Sequence, residues 1–166
     1  MYYIGVDPSL TATGFVVLDE KGNLQEKKII KSKLKDVERL IELSDELRDS
    51  LQTYRGKISG VCIEGYSFGS RLGQAFSIGE LCGIFKICLT KFPVLYKIIA
   101  PTRLKKFVTG KGNSKKELLL KEVYKKWGID FNDNNLADAY GLARISWSYE
   151  NRKKLLSYEK EIIEQI

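Results

Sequence analysis

The chain has 166 residues, 43% hydrophobic and 30% charged, with 14 glycines and only 3 prolines. That size and composition fit one domain spanning residues 1–166 and exclude disordered, collagen-like or repeat-built chains. Histidine is absent, which removes Ser-His-Asp triads, histidine general bases and imidazole-dependent metal sites, so any catalysis must run on carboxylates, lysines or hydroxyls. The net charge of +7 is concentrated in residues 101–126, where Arg103, Lys105, Lys106, Lys111, Lys115, Lys116, Lys121, Lys125 and Lys126 face only Glu117 and Glu122.

Tyr2 to Val6 reads as a short strand, Gly14 to Leu18 as a second, and Gly22-Asn23 turns the chain into a third around Leu24 to Ile30, giving an antiparallel meander. Helical spacing of Val37, Leu40, Ile41, Leu47 and Leu51 predicts an amphipathic helix over 36–52. Ile58 to Ile63, rich in β-branched residues and followed by Glu64, reads as a buried strand parallel to the first, because a helix separates them. Residues 71–91 form a helix that is apolar around more than one face and so must contact two things; we read it as a central core helix or a dimer contact. Val94 to Ala100 reads as a fifth strand, and Pro101 opens a short basic helix.

After the loop 108–113, Ser114-Lys115-Lys116-Glu117 matches a capping box, opening a helix that runs to Trp127 and stops at Gly128. Asn134 or Asn135 is placed to cap the next helix, which carries Asp138 between Ala137 and Ala139, and Arg152 to Ile166 forms a last amphipathic stretch. The order predicts an α/β domain whose mixed five-stranded sheet is flanked by helices. Cys62, Cys82 and Cys88 lack both disulfide and zinc spacing, and neither a signal peptide nor a membrane span is indicated, so a cytoplasmic protein with no membrane partner is expected.

Three acids stand where the pattern otherwise reads apolar: Asp7 after the first strand, Glu64 at the end of the fourth, and Asp138 in its alanine-flanked helix. Singly, each has an ordinary explanation as a turn residue, a solvated strand end or a helix-dipole partner. If strands one and four are neighbours, however, Asp7 and Glu64 meet, and the small alanines let the Asp138 helix come close. Such a cluster is self-repelling, and a hard divalent cation is its natural compensation. The concentrated lysines suit a polyanion: Lys105, Lys106, Lys111, Lys115 and Lys116 are read as nucleic-acid contacts, whereas Lys121, Lys125 and Lys126 are read as the solvated face of a helix.

The segments Gly5-Val6-Asp7-Pro8-Ser9-Leu10-Thr11-Ala12-Thr13-Gly14, Ile63-Glu64, Pro101 with Val108-Thr109-Gly110-Lys111-Gly112, and Leu136-Ala137-Asp138-Ala139 resemble, in order, the RuvC-type Holliday junction resolvases of the RNase H-like superfamily. The likeness spans about residues 3–145 and fits a bacterial or a viral source. It implies an RNase H-like fold and a homodimeric, magnesium-dependent endonuclease acting on branched DNA: four-way junctions, forks or flaps. Asp7, Glu64 and Asp138 then correspond to three of four acidic metal ligands, holding two Mg2+ ions, with Mn2+ as a substitute. The fourth position, three residues before Asp138, is Asn135, whose amide oxygen brings no charge. Lys105 and Lys116 match basic positions beside the scissile phosphate, with Lys116 placed among the catalytic residues. Tyr66 and Phe68 flank the place of an aromatic that wedges between bases, and are read as stacking on DNA or as ordinary core packing.

Two other readings compete. A protein that binds branched DNA without efficient cleavage is favoured by the missing fourth acid. A relative of the phosphate-hairpin ATPases would share the Asp7 motif, but 166 residues leave no room for a two-domain cleft closing on ATP, so no nucleotide cofactor is expected.

Overall fold

The computed structural model describes residues 1–65, 72–152 and 155–166. In chain order its elements are β1 (Tyr2–Asp7), β2 (Thr13–Leu18), β3 (Leu24–Ile30), α1 (Asp36–Gln52), β4 (Ile58–Glu64), α2 (Leu72–Thr90), β5 (Tyr96–Ile99), α3 (Pro101–Thr109), α4 (Lys116–Trp127), α5 (Asn134–Glu150) and α6 (Ser157–Glu164). The strands form one five-stranded mixed sheet in the order β3-β2-β1-β4-β5. β2 runs antiparallel to both β1 and β3, while β1, β4 and β5 are mutually parallel. The expected meander and the parallel pairing of the first and fourth strands are both present.

Alternation along the central strands sorts their side chains into two cores. Ile4, Val6, Phe15, Val17, Val61 and Ile63 face α1 and α2, where Leu40, Leu43, Leu47, Leu51, Leu81, Phe85 and Leu89 cover them. Tyr3, Val16, Leu18 and Cys62 face the other way, against Leu104, Phe107 and Val108 of α3, Leu119 and Val123 of α4, and the small-residue face of α5. A sheet buried on both sides explains why β1 and β2 read as almost continuous apolar runs.

Several boundaries differ from expectation. β5 is limited to Tyr96–Ile99: the Val94 N–H turns back to the Phe92 carbonyl at 2.8 Å, and Ala100 already serves as the N-cap of α3 ahead of Pro101. The capping box at Ser114 does not form. The Ser114 N–H reaches back to the Lys111 carbonyl at 3.3 Å, drawing the residue into the preceding turn, so Lys115 takes the N-cap position and the buried Ser114 hydroxyl has no hydrogen-bond partner. The cap of α5 is Asp133, whose side chain accepts from the Asn135 and Leu136 N–H groups, rather than Asn134 or Asn135. α6 is shorter than the amphipathic stretch predicted it. Gly128 ends α4 in the left-handed conformation, as its position predicts. Among the described residues no helix is long and apolar enough to cross a membrane.

Candidate active site

The β1–β4 register brings the first two acids together. Val6 pairs with Ile63, so Asp7 and Glu64 are the next residues on adjacent parallel strands. Both step to the face opposite Val6 and Ile63, the face that α5 covers. α5 approaches that face with almost no space between backbones. A Cβ on Gly5 would stand 1.9 Å from the Ala139 carbonyl oxygen, and one on Gly14 would stand 2.1 Å from that of Asn135. The glycines of β1 and β2 are therefore the sheet's half of a close contact whose helix half is Ala139 and Ala143. One turn of α5 then carries Asn135 and Asp138 to the rim where β1 and β4 end.

The β1–β2 connection is locked by its own hydroxyls. Thr13 donates to the Ser9 carbonyl at 2.9 Å and accepts from the Ser9 N–H at 3.0 Å, while Ser9 Oγ accepts from the Ala12 N–H at 3.3 Å. This fixed turn forms one wall of an open cleft of about 510 Å³, lined by Asp7, Pro8, Ser9, Leu10, Thr11, Glu64, Ile78, Pro101, Lys105, Lys116, Asn135 and Asp138. The five elements β1, β4, α3, α4 and α5 thus each contribute a charged side chain to one concavity.

Burial and mutual repulsion govern the acids. Asp7 is buried, and desolvation, followed by the charges of Glu64 and Asp138, pushes its carboxyl well above the ordinary aspartate range; a hydrogen bond with Glu64 adds to the shift and Lys116 opposes it. Glu64 is pushed up to about 7, mainly by desolvation and then by Asp138, against the lowering influence of its Asp7 hydrogen bond, Lys116 and Lys105. Asp138 rises to about 6 through desolvation, opposed by Lys116 and Lys105. The two lysines do not neutralise the buried Asp7 and the half-buried Glu64 and Asp138.

Among the described residues no group of three or more His, Cys, Asp or Glu side chains stands placed to hold a metal ion. The donor chemistry nevertheless suits a hard divalent cation: three carboxyls whose ionisation is held back by desolvation and, for Asp7 and Glu64, by neighbouring carboxylates, with the Asn135 amide oxygen at the same cleft.

The lysine-rich segment divides. Lys105 and Lys116 line the cleft, and Lys111 and Lys115 are exposed in the loop and at the N-cap between α3 and α4. Lys106, one residue and about 100° around α3 from Lys105, points away from the cleft and pairs with Glu161 of α6 at 2.6 Å. Lys126 is not on a solvated face: its ammonium lies 2.8 Å from Glu159, with the two side chains only 18% and 8% exposed. Lys121 and Lys125 are exposed. Tyr66 and Phe68 lie outside the described residues. The sequence reading missed Ser9, Thr11, Ile78 and Pro101 as cleft residues; the glycines inside otherwise apolar strands were the available sign of a close helix, and the hydroxyl-rich stretch 9–13 of a locked turn.

The family model for the crossover junction endodeoxyribonuclease RuvC matches residues 3–144. The chain belongs to the RuvC family. A RuvC from Petrotoga mobilis is 31% identical over 121 residues, covering 70% of this chain and 73% of the relative. The solved structure of Thermus thermophilus RuvC matches with a TM-score of 0.75 at 20% identity, covering 92% of this chain and 97% of that one. The same protein in complex with Holliday junction substrate matches with a TM-score of 0.74 at 20% identity, over 90% and 93% of the two chains. The fold shared with these RuvC structures is the RNase H-like arrangement of a mixed sheet between helical layers. Within that RuvC fold, the cleft described above opens where β1 and β4 end.

Proposed function

We propose that this chain is a divalent-metal-dependent endodeoxyribonuclease that resolves Holliday junctions or related branched DNA, cutting symmetric strands as a homodimer. The observation that carries this reading is the convergence of Asp7, Glu64 and Asp138 with Lys105 and Lys116 in one open cleft, from segments far apart in sequence. The names of the matched relatives, and a junction substrate bound to a RuvC of the same fold, support branched DNA as the substrate class.

Asp7, Glu64 and Asp138 would hold the metal, with Asn135 as a neutral fourth oxygen donor. Bound there, Mg2+ supplies the Lewis acidity that activates water and offsets phosphate charge in a site without imidazole. Lys105 and Lys116 bind the phosphate and stabilise charge developing on its oxygens in the transition state. Lys111 and Lys115 extend the phosphate-binding surface along the rim. The hydrogen-bonded Ser9–Thr13 turn follows Asp7 closely in the chain and brings Ser9 and Thr11 to the same cleft. Hydrolysis of this kind leaves 5′-phosphate and 3′-hydroxyl ends.

For the dimer, α2 offers a surface. Its Leu81, Phe85 and Leu89 enter the core, but Phe76 and Ile87 are 75% and 60% exposed, more than an ordinary core helix leaves in water. Phe76→Lys should convert a dimer to a monomer on sizing by light scattering; a wild-type monomer would remove α2 from this role.

The deciding assay incubates labelled four-way, three-way and linear DNA with the protein, with Mg2+ supplied or withheld. Paired nicks in the four-way junction that require Mg2+ are expected. Tight junction binding without nicks under any divalent ion would instead support the non-cleaving binder, the reading that Asn135 favours.

A further inference from the structure

The helices that carry the two cleft lysines are tied together at a point away from the cleft. Lys126, in the last turn of α4, donates to Glu159 Oε1 at 2.8 Å, to the Tyr158 hydroxyl at 2.8 Å and to the Phe107 carbonyl at 3.4 Å. Phe107 belongs to α3, two residues beyond Lys105, and Tyr158 and Glu159 belong to α6. One ammonium therefore joins the ends of three helices. Glu159 Oε2 accepts the Leu156 N–H at 2.9 Å, which fixes the start of α6. The Tyr158 ring lies 3.6 Å from the place of a Cβ on Gly110, the left-handed C-cap of α3. Farther along α6, Glu161 pairs with Lys106, and the Gln165 carbonyl accepts from Arg103 at 3.4 Å.

We propose that Lys126 is a positioning residue: through Phe107, Tyr158 and Glu159 it pins the C-terminal end of α3 to α4 and α6, and so sets where Lys105 stands relative to Lys116 in the cleft. A buried ammonium needs its acceptors in fixed directions, so it resists the sliding and rotation that an apolar contact of the same size tolerates. α3 is only nine residues long and carries one of the two cleft cations. Displacing such a group by about 1 Å can cost on the order of a hundredfold in rate. The catalytic consequence rests on the nuclease reading above; the pinning of α3 does not.

Two measurements on the full chain test this. The first is hydrogen exchange of the α3 amides in Lys126→Met, with β1 and β4 as internal references. Exchange in α3 should accelerate about tenfold while the reference strands stay protected, as expected for a local opening. Lys126→Arg should restore most of the protection, and Tyr158→Phe, which removes one acceptor with little change of volume, should lose less than Lys126→Met. The second is a double-mutant cycle on junction cleavage. Lys126→Met should lower kcat roughly tenfold, flatten the salt dependence of junction binding by no more than Lys105→Ala does, and add almost nothing to either effect in a Lys105→Ala background, because coupled residues are not additive. Unchanged exchange in α3, equal loss of protection throughout, or effects of Lys126→Met and Lys105→Ala that simply multiply would each overturn the proposal. If Lys126→Met does not fold, Tyr158→Phe and Lys126→Arg decide through the same exchange pattern. A wild-type chain that cuts no junction sinks the nuclease reading instead, and the exchange data then judge the pin alone.

Discussion

At the scale of single residues, position around a helix decides what a charge does. Lys105 and Lys106 are neighbours in sequence, yet one lines the acidic cleft and the other is held by Glu161. Salt dependence of junction binding separates them, because each phosphate contact contributes about one unit of slope. Lys105→Ala and Lys111→Ala should each flatten the slope by about one unit, whereas Lys106→Ala should leave it within error. A loss at Lys106 equal to that at Lys105 would show that the Glu161 pair opens on DNA. Asp7 presents the opposite case of a charge that is costly where it stands. Asp7→Asn removes a proposed cation ligand and relieves the repulsion within the acidic cluster. Cleavage should fall by on the order of a thousandfold, the upper range for loss of one charge-stabilising group, with junction binding kept or tightened. Weak binding with normal cleavage would remove Asp7 from the metal shell.

At the scale of elements, the site exists because α5 lies directly on the sheet. Gly14→Ala tests this, since the new methyl would have to occupy a point 2.1 Å from a backbone oxygen of Asn135, which no side-chain rotation can clear. The helix must shift, at a cost of roughly 1–3 kcal/mol, and urea unfolding should show that loss together with reduced cleavage as Asp138 leaves its place. Stability within a few tenths of a kcal/mol of wild type would mean that α5 does not sit this close. The alternating and helical apolar patterns made most elements legible in the sequence, as did the pairing of β1 with β4 and hence the nearness of Asp7 and Glu64. The depth of the α5 contact is only half legible: Ala137 and Ala139 signal it, but Gly5 and Gly14 fit equally well as ordinary strand residues until the helix backbone is in place against them. Local caps were less legible still. Asp133, Asn134, Asn135 and Ser114 are all competent capping residues, and which one acts depends on backbone turns that tertiary contacts set. The part of Lys126 could not be read at all, since nothing near it in sequence announces Glu159 or the Phe107 carbonyl.

At the scale of the whole molecule, the two cores hold a sheet whose rim crowds three carboxyls, Asp7 buried and Glu64 and Asp138 half-buried, and the fold bears the cost of their desolvation and repulsion. Glu64 near 7, Asp138 near 6 and Asp7 well above its ordinary range all titrate higher in the native state than in an unfolded chain, where such groups lie at about 4. Between about pH 4 and 7 the native state therefore binds more protons than the unfolded state. The linkage relation then makes stability fall as pH rises through that window, with the full contribution present below the unfolded pKa and lost above the folded one. Asp19 and Glu161 have lowered pKa values, so their contribution changes in the opposite sense and at lower pH. The difference between wild type and Asp138→Asn isolates the cluster. In metal-free buffer, the Tm of the wild type should decline from pH 5 to 7.5 more steeply than that of Asp138→Asn, which lacks one of the repelling charges. Millimolar Mg2+ at pH 7.5 should raise the Tm of the wild type and have little effect on the variant, because a ligand that binds only the native state stabilises it. Parallel pH profiles, or an equal Mg2+ response in both proteins, would show that the three carboxyls are not coupled in solution and that the cleft does not hold the ion.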